Sequence, residues 1–240
     1  MRRLIAFLVL VLGFGGSTAA LAARVTKELA APPPGATLPV MLQQTLKPHK
    51  VQAGQAVRAR LMQRVPVSSQ VILPAGAELD GRVVAVSDSA ISILFERLRW
   101  KGQALPVHVR LVAAAAPMNV FQAGLPLGAT DRSTSNPGDW TTRQVGGDEV
   151  YLSAGAGKVY DRYSEPVGFA NFSGVYASPS APGELPRAMG PFSTTATGLH
   201  GFSDLSIASP GGVGKPITLA ANKPKWQIRN GSALLLEVVQ

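Results

Sequence analysis

The chain has 240 residues and no cysteine, which excludes disulfide frameworks, thiolate nucleophiles and cysteine metal sites and leaves room for one large β domain or two small ones. Its 23 Lys and Arg outweigh 14 Asp and Glu, and the resulting charge of +9 favours contact with anionic surfaces. The cations are scattered, with no run of five or six, which disfavours nucleic acid, and 25 glycines with 19 prolines promise turns without reaching the roughly 25–30% of low-complexity disorder.

Residues 1–22 have the tripartite form of a secretory signal: Arg2-Arg3, an apolar run over 4–12, and the small-x-small triplet Ala20-Leu21-Ala22, with cleavage expected after Ala22. Residues 4–23 are also about long enough to act as an uncleaved anchor. Gly13, Gly15 and Gly16 weigh against that helix. Either way the remainder leaves the cytoplasm, for the periplasm, the outer-membrane surface or the medium. Residues 23–37, with Pro32-Pro33-Pro34-Gly35, read as an extended linker.

From residue 38 onward a single all-β domain is predicted: a small barrel or sandwich with a long loop-rich insertion before its last strands. The barrel core spans 38–127, the insertion 128–216 and the closing strands 217–240. Residues 38–46 and 56–65 are the first strand candidates; in the second, Val57, Ala59, Leu61 and Gln63 share one face. Arg58, Arg60 and Arg64 share the other, a candidate basic face for an anionic partner. Residues 71–112 carry consecutive antiparallel strands separated by Pro74-Ala75-Gly76, the turn after Ser87, and Lys101-Gly102. In 91–100, Ile91, Ile93 and Phe95 lie on one face and Leu94, Leu98 and Trp100 on the other, which suggests a strand covered on both sides. Residues 104–112 alternate cleanly and read as one returning strand. Pro117 is expected to stop any helical turn in the alanine run before it, and residues 118–127 are a weak apolar segment.

The insertion is rich in Gly, Ser, Pro and Thr and shows no periodicity over 153–191. A strand within 140–150 leading to a Gly146-Gly147 turn is its one regular feature. Tyr151, Tyr160, Tyr163, Phe169, Phe172 and Tyr176 are too many aromatics for a disordered linker. They form the candidate binding surface. Residues 216–221, the Asn230-Gly231 turn and the apolar run 233–239 return to strand character, and the last is expected to insert into the sheet.

No catalytic constellation emerges, and neither a cofactor nor a metal is implied. His49, His108 and His200 are isolated in sequence. Gly155-Ala156-Gly157-Lys158 lacks both the upstream glycine and the Ser/Thr of a phosphate loop, and Asn171-Phe172-Ser173-Gly174 lacks the first glycine of a nucleophile elbow. Asp148, Glu149, Asp161 and Glu165 are the only loop carboxylates close enough in sequence to consider as an acid–base pair or a calcium site.

The central stretch resembles the C-terminal periplasmic domain of the TrbI-like proteins, components of conjugation and type IV secretion channels. The resemblance rests on Arg60-Leu61-Met62-Gln63-Arg64-Val65-Pro66-Val67, on Ile72-Leu73-Pro74-Ala75-Gly76-Ala77-Glu78-Leu79-Asp80-Gly81, on Phe95-Glu96-Arg97-Leu98, on Lys101-Gly102-Gln103-Ala104-Leu105-Pro106-Val107, and on the ending from Ile228 to Val238. It covers about a third of the chain. It implies a non-enzymatic β-barrel module in an envelope assembly, with other envelope proteins or further copies of the chain as partners, and only peripheral membrane contact after signal removal. A glycan is the ligand class that the aromatic segment 151–202 suggests. Where the family carries apolar pore helices, this chain has the polar stretch 128–216, so a pore is not implied.

Overall fold

The computed structural model describes residues 31–128, 139–223 and 225–239; the signal-like segment 1–22 lies outside them. The strands, in chain order, are β1 (Thr37–Leu42), β2 (Ala56–Leu61), the short pair β3 (Val65–Pro66) and β4 (Ile72–Leu73), β5 (Glu78–Ser87), β6 (Ala90–Trp100), β7 (Gln103–Pro106) and β8 (Val109–Ala115). A short helix, α1 (Pro117–Ala123), follows. Then come β9 (Thr141–Arg143), β10 (Glu149–Ser153), β11 (Ala156–Tyr160), β12 (Pro166–Asn171), β13 (Gly174–Ala177) and β14 (Arg187–Ala188). The last four are β15 (Gly198–His200), β16 (Leu205–Gly212), β17 (Lys215–Ala221) and β18 (Ala233–Val238).

Eight strands close into an antiparallel barrel in the order β8-β16-β17-β6-β5-β2-β1-β18, with β18 returning to β8. Closure removes the exposed edges that an open sheet would leave. Alternation drives the arrangement. In β2, Val57, Ala59 and Leu61 are buried while Arg58 and Arg60 are exposed. Leu38, Val40 and Leu42 of β1, Ile91, Ile93 and Phe95 of β6 and Leu234 and Leu236 of β18 fill the same interior. The expected covering of 91–100 on both faces is corrected by the pairing: Asp80 opposes Arg97 and Gly81 opposes Phe95, so Glu96 is an extra residue. This bulge reverses the alternation, and Phe95 and Leu98 both point inward.

Residues 104–112 do not form one strand. β7 pairs with β6 and β8 with β18, and the chain changes partner at Val107 and His108, just after Pro106, which has no N–H to extend the first ladder. The Val107 amide still donates to the carbonyl of bulged Glu96, 3.0 Å away. Pro117 starts α1 rather than stopping a helix, because its missing N–H is one the first helical turn leaves unpaired. The proline linker ends on the barrel, where the Gly35 amide donates to the Val238 carbonyl at 2.9 Å.

The insertion holds a second layer, the six-stranded meander β14-β13-β12-β11-β10-β9. Its glycines belong to strands as well as turns. A Cβ on Gly157 would lie 1.6 Å from the Tyr151 carbonyl oxygen, and one on Gly168 would lie 2.2 Å from that of Tyr176. These close approaches of neighbouring backbones explain strands without apolar periodicity.

One end of the meander is fixed to the outside of the barrel. Val145, Ala177, Met189, Phe192 and Ala196 pack on Ala113, Ala115, Ala233 and Leu235, the outward residues of β8 and β18. Gln63, 6% exposed, makes three hydrogen bonds across this junction: its Nε2 donates to the Val175 carbonyl at 2.9 Å, and its Oε1 accepts from the amides of Val175 at 3.0 Å and Gly190 at 2.9 Å. Thr37 adds a fourth, Oγ1 donating to the Ala188 carbonyl at 2.7 Å. Among the described residues no helix is long and apolar enough to cross a membrane.

Candidate functional site

The six predicted aromatics do not form one surface; the meander divides them. β10 and β11 place Tyr151 and Tyr160 at the solvent-exposed end of one face of the meander, where their rings meet edge to face at 5.5 Å. Tyr151 is 47% exposed. Its hydroxyl donates to Glu149 Oε2 at 2.8 Å, and the other Glu149 oxygen is paired with Arg143 of β9. The Arg143 hydrogen bond, with that of Tyr151 second, holds the Glu149 carboxyl below its ordinary value, against a smaller opposing effect of burial. Donation to Glu149 pushes the Tyr151 phenol up.

Glu149, Tyr151, Tyr160, Asp161 and Ser164 line an open cavity of about 400 Å³. Asp161 Oδ1 accepts the amides of Tyr163 and Glu165, at 2.8 and 2.9 Å, and so fixes the β11–β12 turn. Tyr163 lies on this turn, 69% exposed, with the Arg162 guanidinium 4.8 Å from its ring centre.

The other aromatics serve different ends. Phe169 and Tyr176 are stacked at 5.2 Å against the barrel. Tyr176 is only 4% exposed, and its hydroxyl donates to the carbonyls of Arg64 and Ser173, at 2.9 and 3.2 Å. It is a junction residue, and its assignment to a binding surface is corrected; burial raises its phenol pKa. Phe172 sits at the β12–β13 turn, 88% exposed, lying over Gly155.

The basic face also divides. Arg58 and Arg60 project together from β2, whereas Arg64 lies beyond that strand and turns toward Ser173 at the junction. Arg97 and Arg99 of β6 complete the face in its place, with Glu78 and Asp80 of β5 between the two pairs. No local signal in the sequence links these strands, because register alone brings them together.

The buried candidate carboxylate, Asp148, is occupied structurally. Asp148, 3% exposed, accepts both the amide and the hydroxyl of Thr194 at 2.7 Å and so ties the β9–β10 turn to the segment below it. His49 lies 3.6 Å from Asp88, and His200 bonds the Thr197 carbonyl. Among the described residues no three His, Asp or Glu side chains converge as metal ligands.

The Glu149 network gives a measurable pH effect. Its lowered pKa stabilises the fold above the ordinary value of 4.5, and that contribution is lost as the pH falls through the lowered value. The carboxyl carbon resonance of Glu149 should titrate below 4.5, and Arg143→Gln should move the midpoint upward. An unchanged midpoint in the variant would contradict the pairing. No family model, curated protein or solved structure matches the chain.

Proposed function

We propose that the chain is a non-enzymatic, exported envelope protein whose TrbI-like barrel module is a structural and interaction component of a periplasmic or outer-membrane, secretion-type assembly. The observation that carries this reading is the packed barrel interior. Leu38, Leu42, Leu79, Ile91, Phe95 and Leu98 are all fully buried within it, so what the molecule recognises it recognises with its outer surfaces. The meander adds to that outer surface, and the junction holds its register. The resemblance of the strand and turn motifs to the TrbI-like domain supplies the secretion-type context. Affinity purification of the chain from envelope extracts, after cross-linking in cells, tests the proposal. A reproducible set of co-purifying envelope proteins is expected; recovery of the chain alone would overturn it.

The cavity at Tyr151 and Tyr160 favours a second reading, a secreted ligand-binding or adhesion protein. A ring face beside ionised carboxylates and a serine hydroxyl suits a neutral glycan, whose C–H faces stack on tyrosine while its hydroxyls donate to carboxylates. On a glycan array, Tyr151→Ala and Tyr160→Ala should abolish binding with only a small fall in melting temperature, the size expected for an exposed hydrogen bond. Phe169→Ala and Tyr176→Ala should instead lower the melting temperature. Glycan binding that survives both surface substitutions would remove this reading.

A further inference from the structure

The outer wall of β2, β5 and β6 carries a charge pattern that appears only when the strands are in register. Arg58 stands opposite Asp80, and Asp80 opposite Arg97; in the adjacent outward row Arg60 stands opposite Glu78, and Glu78 opposite Arg99. Each row therefore reads cation, anion, cation across three strands. The two anions are not shared evenly. Glu78 pairs with Arg60 at 3.1 Å and with Arg99 at 3.6 Å, and Asp80 also pairs with Arg99. Arg58 and Arg97, both exposed, are left without an ion pair among the described residues. They flank Asp80 two strand spacings apart, about 10 Å. Lys101 adds a further cation at the end of β6, held in a left-handed turn with its ammonium 4.5 Å from the centre of the Trp100 ring. With the Arg82–Glu96 pair of β5 and β6, which neutralises itself at 2.8 Å, the wall sets six cations against three carboxylates.

We propose that this wall docks on an anionic phospholipid surface. The cations lie in two rows on the outside of a barrel, an arrangement that meets a plane of headgroups with several charges at once. The depression between Gln43, Gln44, Arg58, Arg60 and Glu78 has a volume of about 160 Å³, the scale of one phosphate headgroup rather than a channel that tracks a polymer. Trp100, half-buried at the barrel rim beside Lys101, places an aromatic ring and a cation together where a membrane interface accommodates both. Single-stranded nucleic acid is held by stacking of successive bases as well as by charge, and the single ring of Trp100 beside the two rows offers no series of stacking platforms. A second copy of a chain with charge +9 is a poor source of the anions.

The test is partitioning of the full chain onto phosphatidylcholine vesicles with and without phosphatidylglycerol, the neutral vesicles setting the baseline for its apolar N-terminal segment. The ratio of the two partition coefficients should exceed one and collapse in about 0.5 M salt. In the double variant Arg58→Gln/Arg97→Gln it should fall roughly 20- to 30-fold, the effect of two cations near such a surface. The charge-matched control Lys158→Gln/Lys215→Gln, two exposed cations off this wall that also have no ion pair among the described residues, should retain the ratio. Equal melting temperatures establish that the variants fold, as the lack of partners for Arg58 and Arg97 leads us to expect. A ratio of one in the unmodified chain, or one unaffected by the double variant, overturns the proposal. So does an acidic polysaccharide or DNA that binds through Arg58 and Arg97 more tightly than the vesicles.

Discussion

Removing residues 233–240 should abolish cooperative folding. β18 pairs with β1 on one side and β8 on the other, so its loss opens the barrel and exposes two strand edges at once. It also removes Ala233, Leu234, Leu235, Leu236 and Val238, all buried. At about 1.5–3 kcal/mol for each large apolar side chain, the lost burial is on the order of 10 kcal/mol, comparable with the whole stability of a typical domain. Leu235 and Ala233 face outward, under Met189 and Phe192, so the truncation removes the seat of the meander as well. A scan of the truncated chain should show no cooperative melting transition and early aggregation. A truncated chain that melts sharply near the temperature of the intact one would contradict the closed-barrel account.

The second large effect is expected from one polar residue. Gln63→Leu keeps the bulk and removes every hydrogen bond between this side chain and the meander. The amides of Val175 and Gly190 would then be left in a buried junction without their partner, while the Val175 carbonyl keeps the Met189 amide at 2.9 Å. At about 1–3 kcal/mol for each stranded group, the loss is about 2 kcal/mol or more, which lowers the melting temperature by about 4–8 °C in a chain of this size. The damage should be local. Faster amide exchange is expected in β12 and β13, while β5 and β6 keep their protection. A melting temperature within a degree of the parent would show that Gln63 does not hold the two layers together.

These two predictions separate what the sequence discloses from what it hides. The barrel is legible because its strands are half-buried and alternate: Val57, Ala59 and Leu61 inside, Arg58 and Arg60 outside. Lys101-Gly102 is legible as a hairpin turn because both residues adopt positive φ, 49° and 77°. The bulge at Glu96 is not, since nothing in Phe95-Glu96-Arg97-Leu98 marks which residue lacks a partner across the sheet. The meander is hidden for a related reason. Its strands have between two and six residues, and Gly157 and Gly168 occupy positions where apolar side chains would otherwise set the period.

The functional surfaces follow the same division. A count of aromatics finds Tyr151, Tyr160, Phe169 and Tyr176 without distinguishing an exposed ring from a buried one. Cross-strand rows decide it: the row Tyr151–Lys158–Phe169–Tyr176 runs from solvent at one end into the barrel junction at the other. Gln63 shares a face with Leu61 in the sequence pattern, yet its partners lie more than a hundred positions away, and only the fold reveals its role. Arg97 and Arg99 escape notice as a basic site because Arg58 and Arg60, which they accompany, belong to a strand 37 or more residues earlier.

Both candidate surfaces depend on one claim: that the Gly- and Ser-rich insertion is a second sheet seated in register on a closed barrel, rather than a set of loops around it. Residue-resolved amide hydrogen exchange tests this most directly. The amides of β18 and β8, together with those of Val175 and Gly190 at the junction, should exchange only through global unfolding or close to it. Exchange of the 156–177 amides at rates near those of an unfolded chain, with the barrel amides still protected, would contradict that claim.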